Sequence, residues 1–178
     1  MAKYVKLPSA CGGIGPSTRT PGAQTSLENA QLSVMSASVG AEIMNGLGLV
    51  DGSTMLSYEQ LMIDNEIAGR SIAICQDVIV NKDTIHLDLI KETNILGMGP
   101  KKGNFLGSLA TMKEARLFYQ STLFNTQPFD QWEAKGKKSD LTIARDKAEW
   151  VEKNHKPTLL DKSIMAKLDQ IVKNAYKA

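Results

Sequence analysis

Apolar and polar positions along the chain mark out a short run of strand-like segments followed by helices. Lys3 to Leu7 is predicted as a short buried strand ended by Pro8. Between Ser9 and Gly22 the residues are small, with Gly12, Gly13 and Gly15 ahead of Pro16, so the backbone there can approach a ligand closely or simply form a flexible connection. From Thr25 to Asn45 the row Leu27, Ala30, Val34, Ala37, Ala41, Met44 recurs at three- and four-residue steps. A second row, Leu32, Met35, Val39, Ile43, covers another flank and predicts a largely buried helix stopped at Gly46. Leu47 to Val50 reads as a second strand and Asp51 to Thr54 as a turn.

Ser57 with Gln60 fits a capping box opening a helix to about Cys75, with Leu61, Ala68 and Ile72 along one stripe. A further helix is expected from Asp83 or Thr84 to Lys91. Asn94 to Gly107 is loop-like, with a short strand or an anchor at Asn104-Phe105-Leu106. Helices are then predicted over Thr111–Phe124, Phe129–Lys135, Ser139–His155 and Ser163–Tyr176, with breaks at Pro128, Gly136 and Pro157. Strands alternating with helices predict the βα units of a parallel α/β fold. Two or three short strands make a poor sheet with uncovered edges, so the pattern implies a larger α/β body of which this is a part, or pairing with another chain.

Composition narrows the options. The chain has 178 residues, enough for one domain, with 42% hydrophobic and 22% charged residues. There is no apolar run of membrane-spanning length and no signal-like start, because Pro8, Gly12 and Gly13 interrupt the first apolar stretch. A formal net charge of +2 is too small to imply nucleic-acid binding. Its distribution is uneven, with 4 basic and 7 acidic side chains through residue 80 and 17 and 12 after it. The later charges alternate in sign, as on a solvated helical surface. Two cysteines, Cys11 and Cys75, make no disulfide framework, and a reduced cytoplasmic setting is expected.

Candidate chemistry is sparse. His86 and His155 have no second ligand at zinc spacing, so no metal site is expected. Cys11 lies after a strand, but no base is identifiable to activate its thiol. The stretch from Asp51 to Glu59 is stronger. It leaves a strand and enters a capped helix, where ligands gather in parallel α/β folds. Asp51, Ser53, Thr54, Tyr58 and Glu59 bring polar groups together there. The same residues equally fit local roles, with Asp51 and Ser57 capping turns and Glu59 complementing the helix dipole.

Gly46 through Glu66, GLGLVDGSTMLSYEQLMIDNE, resembles the C-terminal part of trimethylamine:corrinoid methyltransferases. So do Gly103–Gly107, Asp130–Gly136 and His155-Lys156-Pro157. The resemblance implies the C-terminal part of a (β/α)8 TIM barrel plus C-terminal helices, with the last barrel units over residues 1–125 and a helical extension over 126–178. It implies methyl transfer from trimethylamine to the Co(I) of a corrinoid (cobalamin) carried by a separate protein, in methylamine metabolism and methanogenesis. The expected partners are that corrinoid protein, the upstream barrel half and further copies in a homo-oligomer, with no nucleic acid and no membrane. The chain alone is expected to be inactive.

Trimethylamine enzymes of the family carry pyrrolysine, encoded by an in-frame amber codon. By distance from the C-terminus it is expected in or just before the Gly12–Pro16 loop. No pyrrolysine is written in the sequence: either the reading frame starts at the first Met after that codon, which would give such a fragment, or an ordinary residue occupies the position. Family members without pyrrolysine act on glycine betaine and other quaternary amines, which leaves that substrate as an alternative. Around 107–110 the chain has Gly-Ser-Leu-Ala where a more polar stretch with histidine is expected. Displacement at a methyl carbon needs a cationic nitrogen as leaving group, so Glu59 or Asp51 is the candidate carboxylate for the amine. Gly12, Gly13, Ser53, Thr54 and Tyr58 are the candidate substrate-binding residues, and Tyr4 or Tyr58 a candidate π face. A non-catalytic module that kept only the docking surface, and an unrelated small α/β protein, are the remaining alternatives.

Overall fold

The computed structural model describes residues 2–12, 15–93 and 104–176. The chain divides into two compact units, Met1–Ala148 and Glu149–Ala178. The first opens with two βα units. Strand β1 (Ala10–Gly12) leads through a long loop into helix α1 (Ala23–Ser38), which returns to strand β2 (Ile43–Asn45). The strands are parallel, with Ala10 opposite Ile43 and Gly12 opposite Asn45. After β2 the chain makes a hairpin, β3 (Leu49–Val50) antiparallel to β4 (Met55–Leu56), and enters helix α2 (Tyr58–Ile74). The architecture is mixed and helix-rich, with small sheets.

The first predicted strand is displaced. Residues 2–6 are a turn, closed by bonds from Lys6 N to Lys3 O and from Leu7 N to Ala2 O, and Tyr4 is 88% exposed. The strand forms from Ala10, three residues beyond the predicted end at Leu7, because β2 is there to pair with. Ser9 N and Oγ donate to the Glu42 carboxylate at 2.8 and 2.6 Å and set the register.

Helix α1 is shorter than its apolar rows predict. It stops at Ser38, because Gly40 takes φ +67° and a Schellman closure forms, with Gly40 N donating to Ala37 O and Ala41 N to Ser36 O. Ile43 to Asn45 are thereby released for β2. The helix also buries the side that its pattern did not favour. Thr25, Asn29, Ser33 and Ser36 are buried, while Leu27 and Met35 are 60% and 65% exposed.

Ser57 caps α2 as expected, its Oγ accepting from Gln60 N at 3.2 Å. The reciprocal half of the box is absent, because the Gln60 amide is drawn into the interior and donates to Asp64. Replacing Ser57 by alanine is expected to cost about 1 kcal/mol, measured by denaturant unfolding. The first unit's core joins Ile63 and Ile67 of α2 to Leu123 and to Ala144 of helix α7 (Asp140–Asn154).

Past α2, the single helix predicted to end at Lys91 is two, α3 (Lys82–Ile85) and α4 (Leu87–Thr93). They part at His86, which takes φ +51° and bonds Glu114 through Nε2. Residues 94–103 lie outside the described residues. Phe105–Gly107 is a 3₁₀ turn rather than a strand.

The helix predicted over Thr111–Phe124 is only α5 (Leu109–Glu114), capped by Ser108. Beyond it the backbone is taken by a side chain. Glu66, 1% exposed, accepts from Tyr119 Oη, Ser121 Oγ, Thr122 N and Thr122 Oγ1 at 3.1, 2.8, 3.0 and 2.6 Å. An amide bonded to a carboxylate from another element is unavailable to a helix, so the segment is irregular.

Helix α6 (Phe129–Ala134), α7 and helix α8 (Lys162–Ala175) fall within two residues of their predicted bounds. Gly136 follows α6 at φ +88°. In the second unit α8 is capped by Asp161 and presents Ile164, Leu168 and Ile171 to solvent. No described helix is long and apolar enough to cross a membrane.

Candidate functional site

The parallel pairing of β1 and β2 sends both strands out of the sheet on the same side. The segment 15–22 that follows β1 and the connection 46–57 that follows β2 therefore lie at neighbouring strand ends, where βα folds assemble their sites. Two backbone bonds tie them together. Asp51 N donates to Thr18 O at 2.6 Å, and Gly52 N to Pro16 O at 2.9 Å. Contact is close enough that a Cβ on Gly15 would meet Ser53 Oγ at 2.5 Å.

The turn at the head of the hairpin is unusual. Asp51, Gly52 and Ser53 take φ of +53°, +62° and +73° in succession. Two non-glycine residues in the left-handed region cost roughly 1–2 kcal/mol each, less for aspartate, whose side chain bonds locally. Thr54 Oγ1 supplies that bond, donating to Asp51 O and Oδ2 at 2.8 Å each. Arg19 completes the arrangement, its Nε 3.1 Å from Asp51 Oδ1. Arg19 is largely exposed, so the pair contributes little stability.

Apart from Gly13, each residue expected at the site has a definite place. Gly12 ends β1 opposite Asn45, and Gly13 lies outside the described residues. Asp51, Ser53 and Thr54 share the turn just described. Tyr58 opens α2 and is 61% exposed. Glu59 beside it has a different setting. It accepts from Ser57 Oγ at 3.0 Å and from Arg145 Nε of α7 at 3.1 Å. The helix-start amide of Glu59 itself, then Ser57 and Arg145, hold its carboxyl below the ordinary range. Asp51 and Glu59 are thus both ionic partners of arginines, on different neighbours. Tyr4 sits in the N-terminal turn with its side chain exposed.

Arg19 and Arg145 were not among the expected residues. Nothing in local spacing joins Arg145 to Glu59, which is 86 positions away. Below the loops lies a second missed group, Asn29 of α1 with Gln60 and Asp64 of α2, all fully buried. The four-residue spacing of Gln60 and Asp64 was a usable signal. Among the described residues no cluster of three or more His, Cys, Asp or Glu is placed to hold a metal ion.

Residues 1–177 match the family model described as trimethylamine methyltransferase. The chain belongs to this family. It is 30% identical over 178 residues to the trimethylamine methyltransferase MttB of Methanosarcina barkeri, covering all of this chain and 35% of that protein. It is 28% identical over 172 residues to the MttB of Desulfitobacterium hafniense strain DSM 10664 / DCB-2, covering 97% of this chain and 34% of that one. The glycine betaine methyltransferase of Desulfitobacterium hafniense strain Y51 is 28% identical over 175 residues, covering 97% and 35%. The chain therefore spans about a third of the length of the curated relatives it matches. As a member of the trimethylamine methyltransferase family it is related to transferases, and its paired loops are the family member's candidate site.

Proposed function

We propose that this chain is the closing part of a (β/α)8 barrel methyltransferase and that loops 15–22 and 46–57 form part of the barrel mouth. The reaction moves a methyl group from trimethylamine to the Co(I) of a corrinoid carried by a separate protein. The corrinoid is the methyl acceptor, a substrate on its own carrier. The observation that carries this reading is the β1–α1–β2–α2 order, with parallel strands whose C-terminal ends feed two bonded loops. The two-stranded parallel sheet also leaves outer edges with no partner among the described residues, and α1 leaves Leu27 and Met35 uncovered. Both are supplied with partners when further βα units flank them.

Displacement at a methyl carbon is helped by holding the amine as a cation and aligning it with the acceptor. Asp51 is the carboxylate for that task. It stands at the loop junction, in a turn rigidified by Thr54, with its charge turned to Arg19, a guanidinium that a cationic amine would displace or neighbour. Glu59, clamped by Arg145 and Ser57, supports the start of α2 beside it. A pyrrolysine would activate the amine in the trimethylamine enzymes, whereas residues 12–16 of this chain are Gly-Gly-Ile-Gly-Pro. A quaternary amine needs no such activation, and the match to the glycine betaine enzyme over 97% of this chain supports that second reading.

The test is methyl transfer to reduced corrinoid protein, read from the cobalt absorption spectrum, with trimethylamine and glycine betaine offered separately. The chain alone is expected to transfer nothing. Coexpressed with an upstream barrel segment of the family, it is expected to transfer from trimethylamine. Transfer only from glycine betaine selects the second reading. A monodisperse 19.4 kDa chain that binds the corrinoid protein, with no transfer in either preparation, would make it a docking module instead.

A further inference from the structure

Two loops that meet at a site need something beneath them to hold their relative position. In this molecule that element is polar. Asp64 of α2 is fully buried and accepts three bonds from neutral donors: Asn29 Nδ2 at 2.8 Å, Gln60 Nε2 at 2.7 Å and Gly48 N at 2.8 Å. Gln60, also fully buried, turns its Oε1 the other way to accept from Gly22 N at 3.4 Å. Gly22 is the last residue of the loop 15–22 and the N-cap of α1. Gly48 lies in the connection 46–57. One buried group thus reaches one backbone amide in each loop.

The arrangement costs stability. A carboxylate with no cation among its bonded partners loses hydration on burial and regains only part of it from neutral donors. Asn29 Oδ1 and Ser33 Oγ, on the same face of α1, are buried with no hydrogen-bond partner among the described residues. Apolar residues would seal the α1–α2 contact more cheaply. What apolar residues could not do is orient the two amides. Gly48 must also be glycine, since it takes φ +80° and a Cβ there would stand 2.8 Å from Leu61 Cβ and 2.9 Å from a Leu56 methyl. The backbone therefore passes close over α2 at the point where Asp64 seizes it.

We propose that Asp64, Gln60 and Asn29 form a positioning cluster that sets the spacing of the two mouth loops, Asp64 through Gly48 and Gln60 through Gly22. This rests on the loops being the amine site, and it assigns the specificity of that site to residues that never touch the amine.

The test pairs two variants of the chain, Asp64→Asn and Gln60→Met, with amide hydrogen exchange and with the amine kinetics of the transfer-competent preparation. Asp64→Asn is expected to speed exchange at Gly48 about tenfold, and Gln60→Met to do so at Gly22, while the Glu66-held segment 119–124 keeps its protection in both. In the transfer assay each variant is expected to raise KM for the amine about tenfold, with a smaller change in kcat. Uniform loss of protection in both variants, or unchanged KM at reduced thermal stability, would reduce the cluster to an ordinary polar core and overturn the proposal. If Asp64→Asn fails to fold, Gln60→Met with Ser33→Ala decides, since Ser33 is buried on the same face of α1 but bonds neither loop, and its loss is expected to alter neither amide. Local loosening at Gly48 and Gly22, together with a wild-type preparation that transfers from no methylated amine, would leave the positioning intact and reject the site reading instead.

Discussion

Replacing Glu66 by alanine is expected to cost about 3–4 kcal/mol, because hydrogen bonds to a charged group are each worth roughly 1.5–3 kcal/mol and a buried donor is left without a partner. For a chain of this length that is a fall of roughly 10 °C in thermal midpoint, measurable by circular dichroism. The hydroxyls of Tyr119, Ser121 and Thr122 can turn to other acceptors. The Thr122 amide cannot, so the segment that supplies Leu123 to the core loosens with it.

The loss has a sign in pH. Burial pushes the Glu66 carboxyl up, but the combined bonds from Thr122, Ser121 and Tyr119 bring it below its ordinary value. A group depressed in the folded state contributes stability above its unfolded pKa and loses it as pH falls through the folded value. Wild type and Glu66→Ala should therefore differ most near neutrality and converge in acid. Asp64 works in the opposite direction. Burial raises its pKa despite the bonds from Gly48, Asn29 and Gln60, so its penalty applies above the folded value and is relieved as pH falls. Equal Glu66→Ala deficits at neutral pH and well below the unfolded pKa would contradict this account.

Asp51→Asn is the second large effect, and it falls on activity. Asparagine tolerates the left-handed backbone and can still accept from Thr54, so stability is expected to move by less than about 1 kcal/mol. Removing a charge aimed at a cation is expected to lower kcat/KM for the amine about a hundredfold in the transfer assay. An unchanged kcat/KM would make Asp51 a turn residue and nothing more. Running Glu59→Gln alongside separates the two carboxylates: both are paired with an arginine, but Glu59 is also held by Ser57 and its arginine is the less exposed, so its change should be the smaller.

Local signals read well where local chemistry decides. Ser57 caps α2, Gly136 ends the turn after α6, and α7 and α8 keep their predicted bounds because an amphipathic period and a cap suffice for them. Gly40 carried the true end of α1 in the open, a glycine one residue past the last helical turn, yet apolar spacing continued past it and concealed the strand beyond. The Asp51 turn was legible as a turn and as a polar cluster. Its partner Arg19 was not, because nothing local links positions 32 apart.

The sequence by itself determined the cap of α2, the bounds of α6, α7 and α8 to within a residue, the turn at Asp51–Thr54, and through the Gly46–Glu66 stretch the family. Tertiary structure alone decided which strands pair, which face of α1 is buried, and that Glu66 would unmake the end of a predicted helix. The physical reason is one of range. Caps and turns are satisfied by neighbours within four residues, whereas a buried carboxylate or a strand edge takes its partners from wherever the fold delivers them.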